Sequence, residues 1–137
     1  MFKKCAAIIA AVTFGFCFYS LYREKTPVFA AYADEYEIYL TEGSFGNNTA
    51  FVDRGGYGGF AEIKGESCVV AVSYERVLED FSAEHLFSEK TGDGESYYAY
   101  SPKIRYKTYI NGRAVNIHYY SCGRANKLGT PLIYGSF

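Results

Sequence analysis

From Cys5 to Tyr22 the chain runs for 18 residues without a charge, "CAAIIAAVTFGFCFYSLY", directly behind the basic start "MFKK". A run so long and so apolar fits a membrane anchor, an export signal or a helix buried on all sides. Its place behind two lysines favours export or anchoring, with Lys3 and Lys4 left in the cytoplasm. Ala31–Tyr32–Ala33 has the A-x-A form of a cleavage site. Residues 1–33 are therefore expected to form a signal anchor or a signal peptide with linker, and 34–137 an extracytoplasmic domain. The spacer "YREKTPVF" and the length of the run favour the uncleaved anchor, with the domain outside the cell membrane. Cleavage after Ala33 gives a secreted protein instead. Phe16 beside Cys17 argues against lipoprotein processing.

That division leaves 104 residues of the 137 for one small domain, and 49% apolar residues overall are enough for a core. Two of the four cysteines, Cys68 and Cys122, fall in it. Outside the cell they form either a disulfide worth roughly 4 kcal/mol in the chain-entropy model or two buried thiols. No Cys or His spacing suits zinc, and no cofactor is expected.

The domain reads as antiparallel β structure. "YEIYLTEG" alternates as a strand, and "SFGNNTAFVDRGGYGG" follows as a loop or loosely paired edge. "FAEI" and "SCVVAV" flank a hairpin expected to turn at Gly65. Ser73 is the predicted N-cap of a helix over residues 74–82, on the spacing of Val70, Tyr74, Val77, Leu78 and Phe81. "TGDG" and Asn111–Gly112 mark two further hairpins, and "PLIYGS" reads as a last strand. The fold class is α+β: mainly antiparallel sheet with one main helix over one face, preceded by the N-terminal transmembrane or signal helix.

Charge is split. From Asp34 to Glu95 there are 14 acidic residues against Arg54, Lys64, Arg76 and Lys90, whereas Ser96 to Phe137 holds six basic residues and no acid. Lys103, Arg105 and Lys107 alternate with Ile104, Tyr106 and Thr108, which on a strand puts all three cations on one face. That face either meets acidic neighbours or forms, with Tyr98 and Tyr100, a binding patch for an anionic polymer, lipid headgroups or a protein.

No catalytic motif is complete. "GGYGGFA" lacks the preceding strand and following helix of a dinucleotide fingerprint; as an RGG box it is a single copy in the wrong compartment, so no nucleic acid is expected. Asn47–Asn48–Thr49 matches a glycosylation triplet. "GESCV" lacks the second glycine of a nucleophile elbow. The enzymatic alternative is a small exported hydrolase using Cys68 or Ser67 with His118; for Cys68 the partner could also be His85.

Tyr98, Tyr100, Ser101 and Pro102, then Asn111, Gly112, Arg113, Val115 and Asn116, then Gly129, Pro131, Leu132 and Ile133 together resemble the C-terminal portion of the YwmB-like proteins, exported or membrane-anchored proteins of spore-forming Gram-positive bacteria. The resemblance covers about forty residues. It implies a membrane or signal segment, an α+β domain, and no established enzymatic activity. The expectation is a non-enzymatic binding or structural module acting at a bacterial cell envelope.

Overall fold

The computed structural model describes residues 2–40, 49–58 and 62–134, with side chains of α1 described from Lys3 to Tyr19. Asn47, Asn48 and Gly59 to Ala61 lie outside the described residues, and with them most of the glycosylation triplet and the centre of the glycine-rich stretch.

Helix α1 (Phe2–Lys25) is apolar on every side, from Ile8 and Ile9 round to Phe14 and Phe18, and these side chains are exposed by 64 to 75%. Among the described residues no helix is long and apolar enough to cross a membrane.

The remaining elements are β1 (Glu35–Leu40), β2 (Thr49–Asp53), β3 (Ile63–Val70), α2 (Tyr74–Asp80), β4 (Glu84–Thr91), β5 (Gly94–Tyr100), β6 (Thr108–Ile110), β7 (Arg113–Val115), β8 (Ile117–Ser121) and β9 (Asn126–Thr130). Seven strands form one sheet in the order β2-β1-β3-β9-β8-β5-β4, with every neighbouring pair antiparallel; β6 and β7 form a separate ribbon. The α+β architecture is as the sequence predicts.

Pairing register sorts the side chains onto two faces, because directly opposed residues in an antiparallel pair share a face. Cys68, Leu128, Tyr119 and Tyr97 form one row. They belong to the core, which α2 covers with Tyr74 and Val77, and which Phe29 and Ile104 complete. Phe51, Glu37, Ser67, Gly129, His118, Tyr98 and Phe87 form a row across the second face. Helix α2 starts where the capping rule places it: Ser73 Oγ accepts from Arg76 N at 3.2 Å.

Two hairpins turn as expected. Asn111 (φ 50°) and Gly112 (φ 77°) both occupy the left-handed region, as a type I′ turn requires. The Thr91–Gly94 pair closes the β4–β5 turn.

Three expectations are corrected. Gly65 makes no turn: β3 runs straight through it, and an added β-carbon would collide with the carbonyl of Thr130 and lie 2.8 Å from Pro131 Cδ. The glycine permits close strand approach. Among the described residues the last strand is Asn126–Thr130, and residues 131–134 of "PLIYGS" form none; Pro131 has no N–H for the ladder, and the chain leaves the sheet there. Residues 101–107 are not a strand, because the buried Asn116 carboxamide captures their backbone: Oδ1 accepts from Ser101 N at 2.7 Å, and Nδ2 donates to Ser101 O at 2.7 Å and Ile104 O at 3.2 Å. Residues ahead of Asp34 also pack on the sheet. Phe29 is 0% exposed, and Val28, Ala30, Tyr32 and Ala33 pack against the same core.

Candidate functional site

Lys103, Arg105 and Lys107 are all exposed while Ile104 between them is buried, so the alternation holds although the strand does not. The segment crosses the core side of the sheet. Lys103 lies near enough to Asp80 to help hold its carboxyl below the usual range, after the Tyr32 hydrogen bond and the Arg76 contact. Arg105 donates to Tyr106 Oη and stacks over its ring at 4.6 Å.

Tyr98 is not part of this patch. It sits on the second face, stacked between Phe87 and His118 with ring centroids 4.6 Å from each, and its hydroxyl donates to Glu89 Oε1 at 2.8 Å. Burial, then the Glu89 bond, pushes the Tyr98 phenol up to about 12. Tyr100, half-buried, shares the parity of Tyr98 on β5. The tyrosine and basic parts of the expected patch therefore lie on opposite faces. Period-two geometry was correct for each segment, but their relation depends on Asn116, which no local pattern announces.

The hydrolase constellation does not assemble. Cys68 faces the core while Ser67 and His118 face the other side, and β9 separates β3 from β8. Ser67 bonds with Tyr39 Oη at 2.8 Å. His118 is engaged at both nitrogens: Nδ1 accepts from Ile133 N at 3.1 Å and Nε2 meets Ser96 Oγ at 2.9 Å. Nδ1 is thus the unprotonated nitrogen and Nε2 the N–H. Burial pushes this imidazole down to about 4. His85 pairs with the Tyr74 hydroxyl at 2.8 Å.

Cys68 and Cys122 are both free. Two inter-strand steps, about 10 Å, separate β3 from β8, beyond the roughly 7 Å limit for a disulfide. Burial, then the nearby Glu66 charge, pushes the Cys68 thiol up to about 12. Backbone hydrogen bonding at Ala125 and Arg124 holds Cys122 below its usual range.

Glu66 escaped the sequence reading because nothing in "IKGESCV" distinguishes it from a surface acid. It is 2% exposed, points into the core beside Tyr36 and Cys68, and accepts from Phe29 N at 3.0 Å. Tyr36 Oη meets the carbonyls of Phe29 and Ala33. Burial raises the Glu66 carboxyl to about 7, against the lowering pull of the Phe29 and Val28 amides and of Arg105. These contacts tie the segment after α1 onto the sheet.

The second face holds an open groove of about 670 Å³, bordered by Asp34, Glu35, Glu37, Phe51, Val69 and Lys127. Phe51 is 79% exposed and Val69 64%. Among the described residues no group of three or more His, Cys, Asp or Glu side chains is placed to hold a metal ion.

Comparison with protein-family models, with curated proteins and with solved structures yields no match.

Proposed function

We propose that this chain is a membrane-tethered extracytoplasmic domain of a bacterial cell envelope. In this reading it is a non-enzymatic binding module whose exposed Lys103, Arg105 and Lys107 engage an anionic envelope component. The observation that carries the tether is the exposure of α1: bulky apolar side chains on every side of a helix, with no cover from the domain, call for an apolar surrounding. No helix among the described residues is by itself long and apolar enough to cross a membrane; the span is read from the sequence, where the charge-free run extends from Cys5 to Tyr22. Eighteen helical residues span about 27 Å, close to a hydrocarbon core of about 30 Å.

Retention of the tether is supported by Phe29. Cleavage after Ala33 would strip a fully buried aromatic from the core and remove the amide that Glu66 binds. A hole of that kind costs about 3–5 kcal/mol. The resemblance to the YwmB-like proteins belongs to the same reading.

The test is the intact mass of the protein in carbonate-washed membranes. An uncleaved membrane species is expected; a soluble species beginning at Asp34 would overturn the tether. For the basic segment, the full chain in non-ionic detergent is passed over immobilised heparin at low salt. The Lys103→Glu/Arg105→Glu variant is expected to lose retention, and unchanged retention refutes the electrostatic part.

A further inference from the structure

The groove on the second face is the counterpart of the basic segment in charge and in apolar content. Along its rim Glu35 stands directly across from Asp53, two like charges opposed on adjacent strands. Such a pair is destabilising when nothing neutralises it, and among the described residues no ion pair joins either of them. Asp34 adds a third exposed carboxylate, held by Arg54 at 2.8 Å, and the half-buried Glu37 lies beside them, 3.9 Å from Lys127. Between the acids Phe51 and Val69 present bare apolar surface. On the far side of the molecule, exposed Lys103, Arg105 and Lys107 lead within two residues to Tyr109, which is 64% exposed and has only Ala114 opposite it on the ribbon. One surface offers carboxylates around an apolar floor; the other offers three cations followed by an aromatic ring.

We propose that the groove of one copy docks the Lys103–Tyr109 segment of a second copy, head to tail. The cations face Glu35 and Asp53, and Tyr109 covers Phe51 and Val69. The two patches are different surfaces, so the contact is heterologous and propagates into chains or closes into rings. Copies confined by their α1 helices to one membrane plane would raise their mutual concentration and favour it. This rests on the reading of residues 103–107 as a binding segment and names its partner.

The full chain is examined in non-ionic detergent by sedimentation at concentrations up to about 1 mM, a range that reaches weak associations. The expected result is association at about 0.05 M salt that weakens tenfold or more at about 0.5 M, where exposed charges are screened. Glu35→Lys/Asp53→Lys preserves the like-charge character of that pair and removes one exposed turn hydrogen bond, from Gly55 N to Asp53 Oδ1 at 2.8 Å, so the fold is expected to stand while association falls about tenfold or more. Lys103→Glu/Arg105→Glu has the same effect on association. Mixing the two variants restores it, because each supplies the reversed partner of the other. The groove variant keeps its heparin retention and the basic-segment variant loses it.

A wild type that binds heparin yet sediments as a monomer overturns the self-docking and leaves the binding segment standing. Retention unaffected by Lys103→Glu/Arg105→Glu removes the binding segment itself. Association that survives both reversals, or a mixture that fails to recover, also overturns the proposal.

Discussion

Glu66 makes the domain's stability depend on pH in a way one substitution isolates. Its carboxyl rises from an ordinary 4.5 to about 7 on folding, chiefly through burial. A raised acid contributes stability that is present below 4.5 and lost as pH climbs towards 7, because the unfolded chain ionises first. At about 1.4 kcal/mol per pH unit the loss reaches about 3 kcal/mol by pH 7 to 8. Glu66→Gln keeps an oxygen acceptor for Phe29 N and removes the ionisation. The variant should therefore match the wild type near pH 4 and exceed it by about 3 kcal/mol near pH 8. His118 works in the opposite sense: its depressed value of about 4 means stability present above 6.5 and lost as pH falls towards 4. It is common to both proteins and cancels in the difference. Urea unfolding of the full chain in detergent, followed by near-ultraviolet circular dichroism at several pH values, measures that difference. Parallel curves, or a variant less stable at pH 8, would refute a buried ionising Glu66.

Asn116→Ala should destabilise by about 2 kcal/mol or more, since it removes three buried hydrogen bonds to residues 101–104 and leaves Ser101 N and Ile104 O without that partner, while Ser101 O keeps Ile104 N at 3.4 Å; the same unfolding assay checks it. Gly65→Ala should cost about 1–3 kcal/mol through its clash with Thr130 and Pro131, whereas Gly58→Ala, with nothing within 4 Å, should be silent. Thiol labelling of the native chain should modify Cys122 quickly and leave Cys68 protected until unfolding, as their opposite pKa displacements and burial require. An oxidised Cys68–Cys122 species in the native protein would contradict the strand order.

The hairpins and α2 were legible because their signals are local: Asn111–Gly112 requires positive φ, and Ser73 caps through a contact three residues away. What was missed depends on distant partners. Gly65 looked like a turn, but its reason is Thr130 on β9. "KIRYK" looked like a strand, but Asn116, beyond the next hairpin, takes the hydrogen bonds a ladder would need. Glu66 looked like a surface acid and Phe29 like linker, and the two meet in the core, where the Phe29 amide donates to the Glu66 carboxyl. The groove was invisible for the same reason: Phe51 and Val69 come from strands separated by β1 and by the fold's register, so no window of sequence contains both.

Only Thr26 and Pro27 stand between the end of α1 and the Val28–Phe29 turn that the sheet holds. Two residues reach at most about 7 Å. The connection is thus a rivet and not a leash: any pull, tilt or rotation imposed on α1 arrives at Phe29 and Glu66 without slack, and mechanical load enters the domain at its buried carboxylate. Lowering the pH would toughen that joint, and raising it would soften it.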